Sequence, residues 1–141
     1  MTRDEVAALL DELALPPTDF AVHGSAAMLL RGLIEEVDDL DLVARGAAWR
    51  RACALAAPEP GSRDLASRPL PGVEVWNGWL GDDVDTLIDG AELVAGWPCV
   101  RLQAVLAFKA RLARPKDRAH VTLLRARLGE ARPGPRRPPR R

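Results

Sequence analysis

The chain has no tyrosine, and among its 141 residues only two phenylalanines, two cysteines and two histidines. Cys53 and Cys99 are isolated, with no CxxC or His-rich spacing, which excludes a disulfide framework and a zinc site of the usual spacing. No apolar run approaches the eighteen or so residues that span a bilayer, so no membrane partner is expected. The opening Thr2-Arg3-Asp4-Glu5 lacks the basic-then-apolar pattern of a secretory leader, and a cytoplasmic location is expected. With so few aromatics the core falls to aliphatic residues. The four tryptophans, Trp49, Trp76, Trp79 and Trp97, are expected to pack in the core and at its rim.

Net charge is also lacking: 20 basic residues balance 20 acidic ones. The balance hides a polarity along the chain. Residues 1–41 carry ten acidic and two basic side chains, whereas 101–127 carry eight basic and one acidic. The last ten residues hold five arginines and four prolines, and without them residues 1–131 have a net charge of −5. A basic C-terminal helical region is thus available to face an acidic site and hold an anion between them.

What is present is a globular composition, 48% apolar and 28% charged, at a length that suits one domain. Val6, Leu9, Leu10 and Leu13 share one face of a helix over Thr2–Leu15, with Thr2 and Glu5 at capping-box spacing and Pro16-Pro17 as its stop. Asp19–His23 is a short strand, and Gly24-Ser25 turns the chain into an apolar helix reaching about Leu33. Asp39–Val43 is the next strand and Ala47–Ala56 the next helix. A polar loop covers 58–69, and Val73 and Val75, alternating with Glu74 and Trp76, mark a third strand. Asp82–Gly90 is a turn or short helix. Leu102–Ala113 is helical, Pro115 breaks it, and a last helix over Asp117–Leu128 is closed by Gly129. The expected architecture is therefore a small α/β (α+β) domain over 1–131, a sheet flanked by helices with C-terminal helices, followed by an extended, disordered Pro/Arg tail at 132–141.

Two local patterns bear on chemistry. On a strand Asp39 and Asp41 point the same way with Cα atoms about 6.6 Å apart. Two such charges repel by roughly 2–3 kcal/mol at an effective dielectric near 20. A divalent cation converts that repulsion into binding, and magnesium favours a couple of carboxylates plus phosphate oxygens. Thirteen residues separate Asp39 from Ser25. There, glycine lets the backbone approach a ligand, while a serine hydroxyl and a helix start offer donors to phosphate. Each pattern also has an ordinary reading, a solvated acidic turn for one and a helix cap for the other. His23 receives no role.

Gly24-Ser25, a helix and then Asp39-Leu40-Asp41-Leu42-Val43 resemble the nucleotidyltransferase superfamily with the DNA polymerase β-like core. The run Leu102–Val121, LQAVLAFKARLARPKDRAHV, resembles the Lys-then-Arg-Pro-Lys-Asp helical segment of a branch that includes AbiEii-type toxins and small aminoglycoside nucleotidyltransferases. The resemblance covers roughly residues 20–125. It implies a nucleotidyltransferase-like mixed sheet and an enzyme that moves a nucleoside monophosphate from an NTP to a hydroxyl. It further implies magnesium, two ions in all, on Asp39 and Asp41, and a phosphate tail at Gly24 and Ser25. A third carboxylate on a later strand is best matched by Glu74, with Asp64 as substitute, and Lys109 and Lys116 match the nucleotide-facing lysines. The acceptor stays open. A small cationic molecule would suit acidic Asp82, Asp83, Asp85 and Asp89, whereas RNA or protein would suit the basic residues of 101–141. The chain departs from the branch at His120, where an acidic residue is usual. That departure keeps a non-catalytic nucleotide-binding or interaction module as the alternative.

Overall fold

Phe20–His23, all four residues buried, form the strand β1 around which the rest is ordered. The computed structural model describes residues 1–61 and 63–131, so the expected tail at 132–141 lies outside the described residues. Before β1, helix α1 (Arg3–Leu13) carries the expected capping box. Thr2 Oγ accepts from Glu5 N–H, the Glu5 carboxylate reaches back to Thr2, and Val6, Leu10 and Leu13 are buried. After β1, helix α2 (Gly24–Leu30) is only seven residues long, shorter than the periodicity predicts, and six of them are buried.

Strand β2 (Leu40–Ala44) runs antiparallel to β1, and β5 (Val73–Trp76) lies parallel on the other side of β2. Between them α3 (Gly46–Leu55) buries Ala48 and Ala52. The stretch expected as a polar loop at 58–69 instead holds β3 (Glu59–Pro60) and β4 (Leu65–Ser67), a short hairpin that pairs with the free edge of β5. Two- and three-residue strands carry no period, so only the edge they extend reveals them. Gly61 belongs to this hairpin because a side chain there would meet the Trp76 ring at 2.7 Å.

Helix α4 (Val84–Asp89) is capped by Asp83 and leads to a second unanticipated hairpin, β6 (Glu92–Val94) and β7 (Trp97–Cys99). Its two-residue turn, Ala95-Gly96, has φ of 53° and 87°, the left-handed pair that suits the twist of a tight hairpin. β7 lies parallel to β1. The sheet order is β3-β4-β5-β2-β1-β7-β6, a seven-stranded mixed sheet among the described residues. Helix α5 (Leu102–Leu112) packs on α2, and α6 (Pro115–Ala131) packs on α5. Pro115 opens α6 rather than merely ending α5, a position where its missing N–H is not needed. Among the described residues no helix is long and apolar enough to cross a membrane. With β1, β2 and β5 adjacent at the centre, the turn after β1 stands beside the first residues of β2.

Candidate active site

The β1–α2 turn is set by two residues. Gly24 has φ +63°, which disfavours any side chain, and His23 Nδ1 accepts from Gly24 N–H at 2.6 Å. That contact assigns the imidazole proton to Nε2. Burial pushes the His23 pKa down to about 3, so the ring is neutral. It stacks on Trp79 at 4.2 Å and meets the edge of Phe108 at 5.5 Å. His23, given no role from sequence, thus anchors the turn that presents Ser25.

Beside this turn opens a cavity of about 590 Å³. Gly24, Ser25, Asp39, Asp41, Glu74, Lys109 and Lys116, scattered over more than ninety positions of chain, all line it. Asp41 holds the centre of the acidic wall. It lies opposite His23 on β1 and opposite Glu74 on β5. Its carboxylate oxygen stands 3.7 Å from where a Gly24 side chain would begin. Burial first, and then the neighbouring Glu74 charge, push the Asp41 pKa up to about 6. Asp39 differs from expectation in detail: it precedes β2 rather than opening it and is exposed.

Glu74 is held by Arg68, whose Nη2 donates to Glu74 Oε2 at 2.8 Å and whose Nη1 donates to Glu59 at 3.3 Å. Asp64 has a bracing task, accepting from Leu80 N–H at 2.9 Å. Among the described residues no three His, Cys, Asp or Glu side chains are grouped as a ready metal site. The acidic residues of the cavity nonetheless supply the hard oxygen donors that magnesium takes. No protein-family model, curated protein or solved structure matches this chain significantly.

Lys109, which also lines the cavity, is 2% exposed. Its ammonium donates to Ser25 Oγ at 2.8 Å and to Asp117 Oδ1 at 3.3 Å. Burial lowers its pKa, and Asp117 opposes that shift. Asp117, fully buried, also accepts from Arg114 Nε at 2.7 Å, Nη2 at 3.1 Å and backbone N–H at 3.2 Å. Arg114 and Asp117, three apart across the start of α6, are thus the support of Lys109. The Arg-Pro-Lys-Asp run carried that signal, though only the tertiary contact gives it meaning. Lys116 is exposed at the cavity. His120 also lines it, with Nδ1 3.5 Å from Ser25 Oγ, and its pKa is lowered by burial and by the Lys109 charge.

The aspartates considered for a cationic acceptor are largely engaged. Asp85 and Asp89 grip Arg45 at 3.0 and 2.7 Å, Asp82 binds Arg111, and Asp83 caps α4. Asp82, Asp83 and Asp85 border a second, shallower cavity of about 360 Å³ on the Arg45 and Trp49 side.

Proposed function

We propose that the chain is a magnesium-dependent nucleotidyltransferase, taking a nucleoside triphosphate and moving its nucleoside monophosphate to a hydroxyl group. The observation that carries this reading is the meeting of two unlike sets of groups in the lining of one cavity. Asp39, Asp41 and Glu74 supply oxygen donors, and Ser25, Lys109 and Lys116 supply donors to anions. A cavity of about 590 Å³ falls in the range of small-molecule sites.

Asp39 and Asp41 would hold magnesium, with Glu74 as third carboxylate once released from Arg68. The metal would supply Lewis-acid polarisation of the phosphate oxygens and offset their charge. Ser25 Oγ and the Gly24-Ser25 backbone orient the phosphate tail, and Lys109 balances the charge of departing pyrophosphate. Lys109 is pre-oriented for this by Asp117, so little side-chain entropy is lost on binding. Glu74 or Asp41, both at the cavity, would accept the proton of the attacking hydroxyl.

The nucleotidyltransferase-like sheet belongs to the same proposal. One observation favours the non-catalytic alternative: the 2.8 Å Arg68–Glu74 contact neutralises the third carboxylate. The deciding experiment measures magnesium-dependent pyrophosphate release from each of the four NTPs, beside calorimetric NTP binding. Release that disappears in Asp41→Asn supports the enzyme. Binding without release supports the module, and absence of binding overturns both.

A further inference from the structure

The two oxygens of Asp41 face different neighbours. Oδ1 accepts from Trp76 Nε1 at 3.5 Å, whereas Oδ2 lies 3.7 Å from where a Gly24 side chain would begin. The roles in the first contact are fixed, since an indole N–H only donates and an ionised carboxylate only accepts. The contact is long, and the seating of the ring is what gives it direction. Trp76 stands two residues beyond Glu74 on β5, so the two share one face of the strand, and both line the cavity. It pairs with Val43 of β2 on one side and with Ala66 of β4 on the other. The far edge of its ring comes against Gly61, where a side chain would meet Cζ3 at 2.7 Å and Cη2 at 3.1 Å. The indole is therefore bounded at both ends, by backbone at its benzo edge and by Asp41 at its nitrogen. Trp79 lines the same cavity but differs, because its Nε1 is buried with no hydrogen-bond partner among the described residues.

We propose that Trp76 is a positioning residue of the metal site. Its N–H engages Asp41 Oδ1 and so leaves Oδ2, on the side of the Gly24-Ser25 turn, as the oxygen offered to a divalent cation. The inference rests on the nucleotidyltransferase reading for the place of the metal. It goes beyond that reading in naming the ligating atom and the group that aims it. Hydrogen-bond partners outside the ligand shell set the orientation of ligating carboxylates, and losing one typically weakens metal binding ten- to hundredfold. The Asp41 carboxylate has no other hydrogen-bond donor among the described residues. Through Gly61 and Trp76, the β3–β4 hairpin thus reaches the metal site.

The test uses manganese alone as the probe, on the full chain isotope-labelled for nitrogen NMR. The four tryptophans give four indole N–H resonances, assigned by triple-resonance spectra. A paramagnetic ion at Asp41 should broaden the Trp76 resonance at manganese levels that leave those of Trp49 and Trp97, which do not line the cavity, sharp. In calorimetry Trp76→Phe, which keeps a ring but not the N–H, should bind manganese about tenfold more weakly. Trp79→Phe loses an N–H that held nothing and should bind manganese as the unaltered chain does. A Trp76 resonance that stays sharp under saturating manganese would overturn the inference and leave the nucleotidyltransferase reading standing. Unchanged affinity in Trp76→Phe, or an equal loss in Trp79→Phe, would overturn it in the same way. The resonance measurement is made on the unaltered chain, so it decides even where a variant fails to fold. Absence of manganese binding to the unaltered chain would overturn both the inference and the magnesium-dependent reading beneath it.

Discussion

Arg68 clasps Glu74 at 2.8 Å on the outer side of β5, while Asp41 lies beside Glu74 at the same register of the next strand. A cation of the protein therefore already sits on a carboxylate of the proposed metal wall. Arg68 and a divalent ion compete for one charge.

Arg68→Ala should accordingly tighten magnesium or manganese binding by a few-fold. The Arg68 side chain is 45% exposed, so the lost ion pair costs at most about 1 kcal/mol of stability. Titration calorimetry with manganese and a urea melt read the two effects separately. Weaker metal binding in the variant would show that Arg68 orients Glu74 rather than blocking it.

Asp41→Asn should stabilise the fold at pH 7.5 by roughly 1–3 kcal/mol, since a carboxyl raised from 3.8 to about 6 is penalised when ionised. The pH dependence separates two groups of opposite sign. Asp41 binds its proton more tightly folded than unfolded, so its contribution improves as pH falls from about 6 to 4. His23, lowered from 6.5 to about 3, binds its proton only when unfolded, so its contribution worsens over the same window. The two slopes oppose in the native chain. In Asp41→Asn the His23 slope is unmasked, and stability should fall about 1.4 kcal/mol per pH unit more steeply between pH 6 and 4. Parallel curves for the two proteins would refute these assignments.

Asp117→Ala should be among the most damaging substitutions, costing about 3–5 kcal/mol, because it strands the buried Lys109 ammonium. Lys109→Met should cost less, since Asp117 keeps its three Arg114 contacts. It should nonetheless weaken NTP binding about ten- to hundredfold, the value of a charge-assisted contact. Exposed Lys116→Met should move both quantities less. Thermal melts and NTP titrations of the three variants test the order, and equal effects at Lys109 and Lys116 would contradict it.

Gly24→Ala should cost about 1–2 kcal/mol, the strain of a left-handed conformation with a Cβ. The new methyl has room, with the Asp41 oxygen 3.7 Å away, so the loss is of backbone geometry. NTP affinity should fall with it, because relaxation of φ turns Ser25 away from Lys109. A melt and a binding titration on one sample compare the two losses.

Much of the frame is local and was therefore legible. The Thr2–Glu5 capping box, the apolar face of α1, the strand–Gly-Ser–helix turn and the break at Pro115 depend on residues within a few positions of one another. Asp39 and Asp41 likewise announce themselves by spacing. The position of Glu74 is different. Alternation places it on the opposite face from Val73 and Val75, yet only the parallel register of β2 with β5 brings it beside Asp41. Lys109 has the sequence context of a solvated cation on a helix, but its burial follows from the docking of α6, which brings Asp117 to it. The β3–β4 and β6–β7 hairpins are too short for any periodic signal and form because β5 and β1 leave an edge to extend. The sequence by itself determined where α1 is capped and which residues carry charge, since capping and turn chemistry act over a few residues, whereas α2 stops at Leu30, short of the expected Leu33, and α6 runs through Gly129 to Ala131. Tertiary structure alone decided which charges share a cavity and which are neutralised, because register and desolvation arise between segments distant in the chain.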